Sequence, residues 1–291
     1  MAAGERLLLV DGTALLYRSF YAIRSLSTRA GQPTNAVYGF VKLTGQLLRV
    51  WKPTHVVVAF DGGSPASRLD RLPSYKANRK PMPPDLRSQI PLAESYLDCA
   101  GLARLRLEGQ EADDVIATLA AQARADGADR VLIAAHDKDL YQLVDETVHI
   151  VAQAGGEDEM GAAEVQAKMG VSPVQIVDWL ALVGDSSDNI PGVQGIGPKT
   201  AATLLGEFGN LDALLASLDR VPNERIRSAL RSAREIAVRN RELVRLRTDL
   251  DCGLRWVDSL QRPCRTAELL ALYEKLEFRS LAREISEPTL C

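Results

Sequence analysis

The 291-residue chain has little of what builds stapled or thiolate-bound folds. Its four cysteines, Cys99, Cys252, Cys264 and Cys291, are scattered with no CxxC pair. That argues against a zinc ribbon and a disulfide framework, and for a reduced, cytoplasmic compartment. Three histidines leave zinc few ligands. Aromatics at 5% argue against a carbohydrate or haem pocket. No apolar run approaches the ~20 residues of a membrane span, and Leu7–Val10 is too short for a signal peptide, so no membrane partner is expected. Hydrophobic residues at 46% and charged residues at 25% are ordinary globular proportions, which excludes a disordered or collagen-like chain. At ~100–200 residues per domain, the length fits one large domain or two coupled ones.

The net charge of −3 looks unfavourable for a nucleic-acid partner, but the charge is unevenly spread. Ser64–Ile90 carries six basic residues against two acidic ones, and Arg220–Arg247 carries nine arginines against three glutamates. Elsewhere the acids gather in short clusters.

Apolar runs that end in an acid recur: Leu7–Val10 before Asp11, Val56–Phe60 before Asp61, and Val131–Ala135 shortly before Asp137 and Asp139. Continuous runs of this length predict buried parallel strands, with helices at Thr34–Trp51 and Gln110–Ala125 between them. The fold class is α/β, a doubly wound parallel sheet flanked by helices, whose ligands lie outside the carboxyl ends of the strands. Ser64–Ile90 holds five of the 14 prolines and no long apolar stripe, and is expected as a basic, mobile insertion over the strand ends rather than a core element. Helices are expected at Val174–Val183 and Lys199–Leu205, then as one long arginine-rich helix over Asn223–Arg247, with a weak amphipathic stretch at Thr266–Ile285.

Nine acids fall at structural transitions: Asp11, Asp61, Glu111, Asp113, Asp114, Asp137, Asp139, Asp185 and Asp188. Each alone has a plain explanation. Glu111, Asp113 and Asp114 suit a helix N-terminus, Asp61-Gly62-Gly63 is a turn signature, and the others suit caps or turns. Glu111 and Asp114 share a helical face while Asp113 points away, toward a second ion or its water. Together in one cleft, nine carboxylates would require cations. Two divalent ions bring +4, and all-oxygen ligands suit Mg²⁺ or Mn²⁺. Without these nine, 29 acids remain against 35 basic residues, so the rest of the molecule is about +6.

Gly192, Gly195 and Gly197 precede Lys199 and Thr200 in a glycine-rich hairpin whose following helix N-terminus can hold a phosphate without reading sequence; a plain turn is the other reading. The spacing is not that of a Walker loop. Tyr75, Lys76, Arg79 and Lys80 interleave an aromatic with cations, which suits stacking on an unpaired base; a solvated loop is the alternative. Tyr17 and Tyr38 could also stack on a base, but each sits among apolar neighbours and reads as core; His136 lies beside Asp137 and could titrate near the metals, but no chemical role is expected of it.

These residues carry a resemblance. Leu7–Gly12, Ala36–Phe40, Tyr75–Arg79, Glu111–Asp114, Asp137–Leu143, Gly184–Gly192 and Gly195–Ala201, in that order, resemble the 5′-nuclease (flap endonuclease) family, most nearly the 5′→3′ exonuclease modules of bacterial DNA polymerases I and their free-standing relatives. The resemblance spans nearly the whole chain and leaves none of the family's nine metal-site acids missing. It departs at Ser67 and Gln110, where aromatics are common, and at His136, which replaces a smaller residue.

The resemblance implies a PIN-like nuclease core over residues 1–173 with a helical arch near 64–90, a helix–three-turn–helix duplex-binding region over 174–248, and a C-terminal helical extension over 249–291. It implies two Mg²⁺ per site, with Mn²⁺ substituting, and K⁺ at the helix–three-turn–helix. Lys76 and Arg79 would be catalytic at the scissile phosphate, and Arg68, Tyr75, Gly192, Gly195, Gly197, Lys199 and Thr200 would contact DNA. The expected activity is 5′→3′ exonuclease and flap endonuclease cleavage of 5′ flaps and of 5′-ended or nicked duplexes, RNA-primed strands included, in replication and repair. A monomer is expected, with no polymerase domain following and a DNA polymerase as a partner in trans. The rival expectations are a catalytically silent protein that binds branched DNA and a small PIN-type ribonuclease.

Overall fold

The three apolar runs form the middle of one sheet. In the computed structural model, which describes residues 4–153 and 156–286, β1 (Arg6–Asp11), β2 (His55–Phe60), β3 (Ala103–Arg106), β4 (Arg130–Ala134), β5 (Val148–Val151) and β6 (Glu159–Met160) lie in the order β3-β2-β1-β4-β5-β6. The last five residues of the expected C-terminal extension, Cys291 among them, lie outside the described residues. The first five strands are parallel, and β6 runs antiparallel to β5. Leu7, Leu9, Val57, Val131 and Ile133 face one apolar cluster, and Leu8, Val10, Val56, Val58 and Leu132 face the other. Both faces are covered, which is why these strands read as unbroken apolar runs rather than alternating ones.

Helices α1 (Gly12–Ala22), α2 (Asn35–Trp51), α3 (Ala66–Arg71), α4 (Pro84–Arg87), α5 (Ile90–Ala100), α6 (Ala112–Ala125) and α7 (Ala162–Met169) belong to the sheet region. A helical region follows: α8 (Ile176–Val183), α9 (Pro198–Phe208), α10 (Leu211–Ala216), α11 (Glu224–Ser232) and α12 (Arg234–Val244). α13 (Thr266–Lys275) and α14 (Arg279–Ser286) return to the sheet face covered by α1, α2 and α5. No helix among the described residues is long and apolar enough to cross a membrane.

Three expectations change. The arginine-rich stretch is two helices meeting at Ala233, not one. The break lets α12 turn its Ala237, Asn240, Leu243 and Val244 side inward, where the Asn240 amide donates to the carbonyls of Ala181 (3.1 Å) and Pro191 (2.6 Å). The Thr266–Ile285 stretch likewise divides, at Glu277 with φ 59°. Ser64–Ile90 is not outside the core: Leu72, Tyr75 and Leu86 are buried, and its regular structure consists of the short α3 and α4.

Candidate functional site

β1 and β4 are neighbours at the point where the sheet order reverses, so a crevice opens at their carboxyl ends. Asp11, the last residue of β1, caps α1 by accepting the Ala14 N–H at 2.9 Å. Asp61 follows β2; its Oδ1 accepts the Ala112 N–H at 2.9 Å, and its own N–H donates to Thr13 Oγ1. Asp137 follows β4 and accepts the Asp139 N–H at 3.0 Å. Asp113 enters from the first turn of α6. The buried Gln153 amide ties the two strand ends by donating to the carbonyls of Asp11 and Ala134. Burial, then Asp61 and Asp137, push Asp11 up to about 7. Burial, then Asp137, Asp11 and Asp61, hold Asp113 well above the usual carboxylate range.

A second group adjoins the first. Asp139, Asp185 and Asp188 each offer an oxygen within 4.8 Å of the others. The Tyr75 hydroxyl joins Glu111 to Asp188, at 3.0 and 3.1 Å. Lys76 Nζ lies 2.7 Å from Glu111 Oε1 and 3.6 Å from Asp188 Oδ2, and Arg79 also pairs with Asp188. Lys138 Nζ lies 2.7 Å from Asp185 Oδ2. Burial, then Asp137, raise Asp139 well above its ordinary value. Burial also works to raise Asp185, but the Lys138 ammonium and the Ser187 hydroxyl outweigh it, and Asp185 lies below the usual value. The loop holding Asp185 and Asp188 is closed by a short antiparallel pairing of Gly184–Asp185 with Ile190–Pro191. At Gly184 (φ 78°) any side chain would run into the backbone of Ile190 and Gly192.

These residues fit hard divalent cations. The buried Asp113 Oδ1 and Asp139 Oδ1 have no hydrogen-bond partner, and the donor set is all oxygen. Asp114 is the exception among the nine acids. It is fully buried, Arg68 reaches it through both terminal nitrogens at 2.7 and 2.8 Å, and it accepts the Arg247 N–H at 2.9 Å, so its oxygens are already occupied. Glu111 and Asp114 do share a side, since Arg68 bridges them, while Asp113 faces Asp11 and Asp137.

Two residues expected to contact DNA, Arg68 and Tyr75, are engaged within the protein. Arg68 is 5% exposed and spends its donors on Glu111, Asp114 and the carbonyls of Leu243 and Arg245. Tyr75 is 5% exposed with its hydroxyl on two carboxylates, so its ring is not free to stack on a base. Lys76 is half-buried and Arg79 exposed at the crevice. The Lys76 N–H donates to the Asp188 carbonyl at 2.9 Å and the Asn189 amide to the Ser74 carbonyl at 2.7 Å, which fastens this turn to the acidic loop.

Gly192–Gly197 links that loop to α9. Gly195 has φ 82°, Gly197 is the N-cap of α9, Lys199 is exposed and Thr200 half-buried. Arg220, Arg225, Arg231, Arg234, Arg245 and Arg247 are exposed; Arg227, Arg239 and Arg241 are half-buried. Tyr17 and Tyr38 are half-buried, and His136 is exposed against Arg18. Lys138 and Gln153 also belong to the site: Lys138 is marked in the sequence as the one cation between Asp137 and Asp139, whereas Gln153 carries no local signal.

Residues 6–170 match the family described as 5′-3′ exonuclease, N-terminal resolvase-like domain, and residues 171–267 match its C-terminal SAM fold. DNA polymerase I of Bacillus caldotenax is 38% identical over 288 residues, which is 98% of this chain and 33% of the relative. The thermostable DNA polymerase I of Thermus thermophilus is 44% identical over 282 residues, 96% of this chain and 33% of the relative. The chain thus spans about a third of the length of these relatives. Among solved structures, a T5 5′-exonuclease with bound zinc superposes with a TM-score of 0.68 at 23% identity, covering 97% of this chain and 99% of that one. The catalytic core of Rad2 in complex with DNA substrate gives 0.67 at 16%, covering 98% and 92%. At these identities the two structures speak for the fold.

Proposed function

The chain belongs to the 5′-3′ exonuclease family, and on that premise we propose that it is a divalent-metal-dependent 5′→3′ exonuclease and flap endonuclease acting on DNA. The observation that carries this reading is a cluster of eight carboxylates beyond the strand ends, among which buried oxygens of Asp113 and Asp139 have no hydrogen-bond partner. One ion would be held by Asp11, Asp61, Asp113 and Asp137, the other by Glu111, Asp139, Asp185 and Asp188. When bound, two Mg²⁺, or Mn²⁺ in their place, would supply an activated water and a neutralised leaving oxygen for phosphodiester hydrolysis.

The chain's own residues do the rest. Lys76 and Arg79, at the crevice, take the scissile phosphate. The Gly192–Gly197 turn, Lys199 and Thr200 hold the duplex by its backbone, with K⁺ on backbone carbonyls. Contacts of that kind position without reading bases, so cutting is governed by the junction and not by sequence. On this reading residues 1–173 are the nuclease core, 174–248 the duplex-binding region and 249–291 an extension. The protein acts in the cytoplasm as a monomer on 5′ flaps and on 5′-ended or nicked duplexes, RNA-primed strands included, in replication and repair, with a DNA polymerase in trans.

The test is a gel assay on an end-labelled 5′-flap duplex with Mg²⁺, with EDTA, and with Asp188→Ala. Mg²⁺-dependent cutting at the flap base, absent from both controls, is expected. Binding without cutting in Mg²⁺ or Mn²⁺ would replace this reading with a silent protein that binds branched DNA.

A further inference from the structure

The two carboxylate groups are neutralised differently. Among the described residues, Asp11, Asp61, Asp113 and Asp137 have no basic side chain within ion-pair distance, whereas the second group holds two lysines inside it, besides the guanidiniums of Arg68 on Glu111 and Arg79 on Asp188. Lys76 Nζ lies 2.7 Å from Glu111 and 3.6 Å from Asp188. Lys138 Nζ lies 2.7 Å from Asp185 and 4.0 Å from Asp139. The two ammonium groups thus serve the four acids in pairs, and unlike Arg68, which is also held by Asp114, each is a single flexible cation that can leave.

Resting on the metal-dependent reading above, we propose that Lys76 and Lys138 are resident counter-ions of Glu111, Asp139, Asp185 and Asp188. A divalent ion entering this group displaces them. The two ions therefore bind in order and with unequal affinity, the lysine-free group filling first.

The exchange follows from the contacts. An ammonium proton aimed at a carboxylate oxygen from 2.7 Å uses the lone pair a metal needs, and an ammonium and a divalent ion held together in a half-buried pocket repel strongly. The Lys76 and Lys138 side chains are 14% and 32% exposed, so each has a way out on its flexible stem. Only the Lys76 side chain has to swing, because its backbone is fixed by the bond to the Asp188 carbonyl. Released from Glu111, the Lys76 ammonium becomes available to a phosphate, so loading of the second ion and readiness for substrate are one event. Lys138 stands between Asp137 of the first group and Asp139 of the second, and makes the second group selective for an ion able to compete with an amine.

Calorimetric titration of the DNA-free chain with Mn²⁺ tests this. The wild-type chain is expected to take up two ions with distinct constants. Lys138→Met should tighten the weaker constant about tenfold or more and leave the tighter one unchanged, as removal of one close positive charge demands. Lys76→Met should act in the same direction, and Lys138→Arg, which keeps the charge, should not. Thermal melting guards against misfolding: Lys138→Met should melt below wild type in EDTA and gain more from Mn²⁺. A folded Lys138→Met whose weaker constant is unchanged or looser would overturn the proposal. A wild-type chain that takes up no Mn²⁺ would instead overturn the metal-dependent reading itself.

Discussion

Arg68 grips Asp114 with both terminal guanidinium nitrogens, at 2.7 and 2.8 Å, where Asp114 is wholly buried and Arg68 nearly so. α3 is thereby locked to the first turn of α6, and through the Leu243 and Arg245 carbonyls to the end of α12. Removing one partner of such a pair leaves an uncompensated buried charge. Arg68→Ala should therefore cost about 3–5 kcal/mol in denaturant melting. Unchanged stability with weakened DNA binding would return Arg68 to the surface role its sequence suggests.

That pair marks the boundary of what the sequence discloses. β1, β2 and β4 are legible because a strand buried on both faces must be apolar throughout, and the acids beyond them are legible because they interrupt that pattern. β3, with alternating exposed arginines, and the two-residue β6 give no such signal. The roles of Arg68 and Tyr75 depend on partners 36 to 113 residues away, so local composition reads them as a basic, aromatic surface when they are buried ligands of Glu111, Asp114 and Asp188. The break at Ala233 is equally tertiary: helix propensity runs through it, and packing of α12 on the Ala181 and Pro191 carbonyls sets the turn.

Asp11 makes metal-free stability depend on pH. Its folded-state value is raised from 3.8 to about 7, so between those values the folded chain keeps a proton that the unfolded chain has released. Stability falls with rising pH wherever the folded state binds more protons. In EDTA the melting temperature should drop as pH rises through this window and level off above it, with Asp113 and Asp139 adding in the same direction. Asp11→Asn should flatten the slope, and saturating Mn²⁺ should too. A melting temperature that rises between about pH 5 and pH 7 in EDTA would show that these acids are not held protonated.

Asp139→Ala separates chemistry from binding better than a change at Asp188, which also anchors Tyr75, Lys76 and Arg79. Asp139 is buried with one oxygen free of hydrogen bonds, so its removal takes little structure with it. Cleavage of a 5′-flap duplex in Mg²⁺ should fall by roughly 10²–10³-fold or more. Junction binding, measured by fluorescence anisotropy in Mg²⁺, should hold or tighten, because a carboxylate that is ionised beside a bound metal has left a site that meets phosphates. A variant that cuts at the normal rate would remove Asp139 from the metal site.

Gly192 and Gly197 differ in what they demand of the hairpin. A Cβ at Gly192 would strike the Val183 carbonyl and the Gly184 nitrogen, so Gly192→Ala must displace the acidic loop and should cost about 1–3 kcal/mol, with loss of cleavage. At Gly197 the backbone is ordinary and an added methyl would meet no atom within 4 Å, so Gly197→Ala should fold with a cost below about 1 kcal/mol. Yet Gly197 caps α9, and a methyl there keeps a phosphate from the helix's free amides. Its duplex binding should weaken several-fold while its melting temperature holds. Lys199→Ala, one step into the same helix, should lower the slope of log affinity against log salt by about one unit. Normal binding by both variants would mean that duplex DNA does not rest on the start of α9, and would shift the clamp to the exposed arginines of α11 and α12.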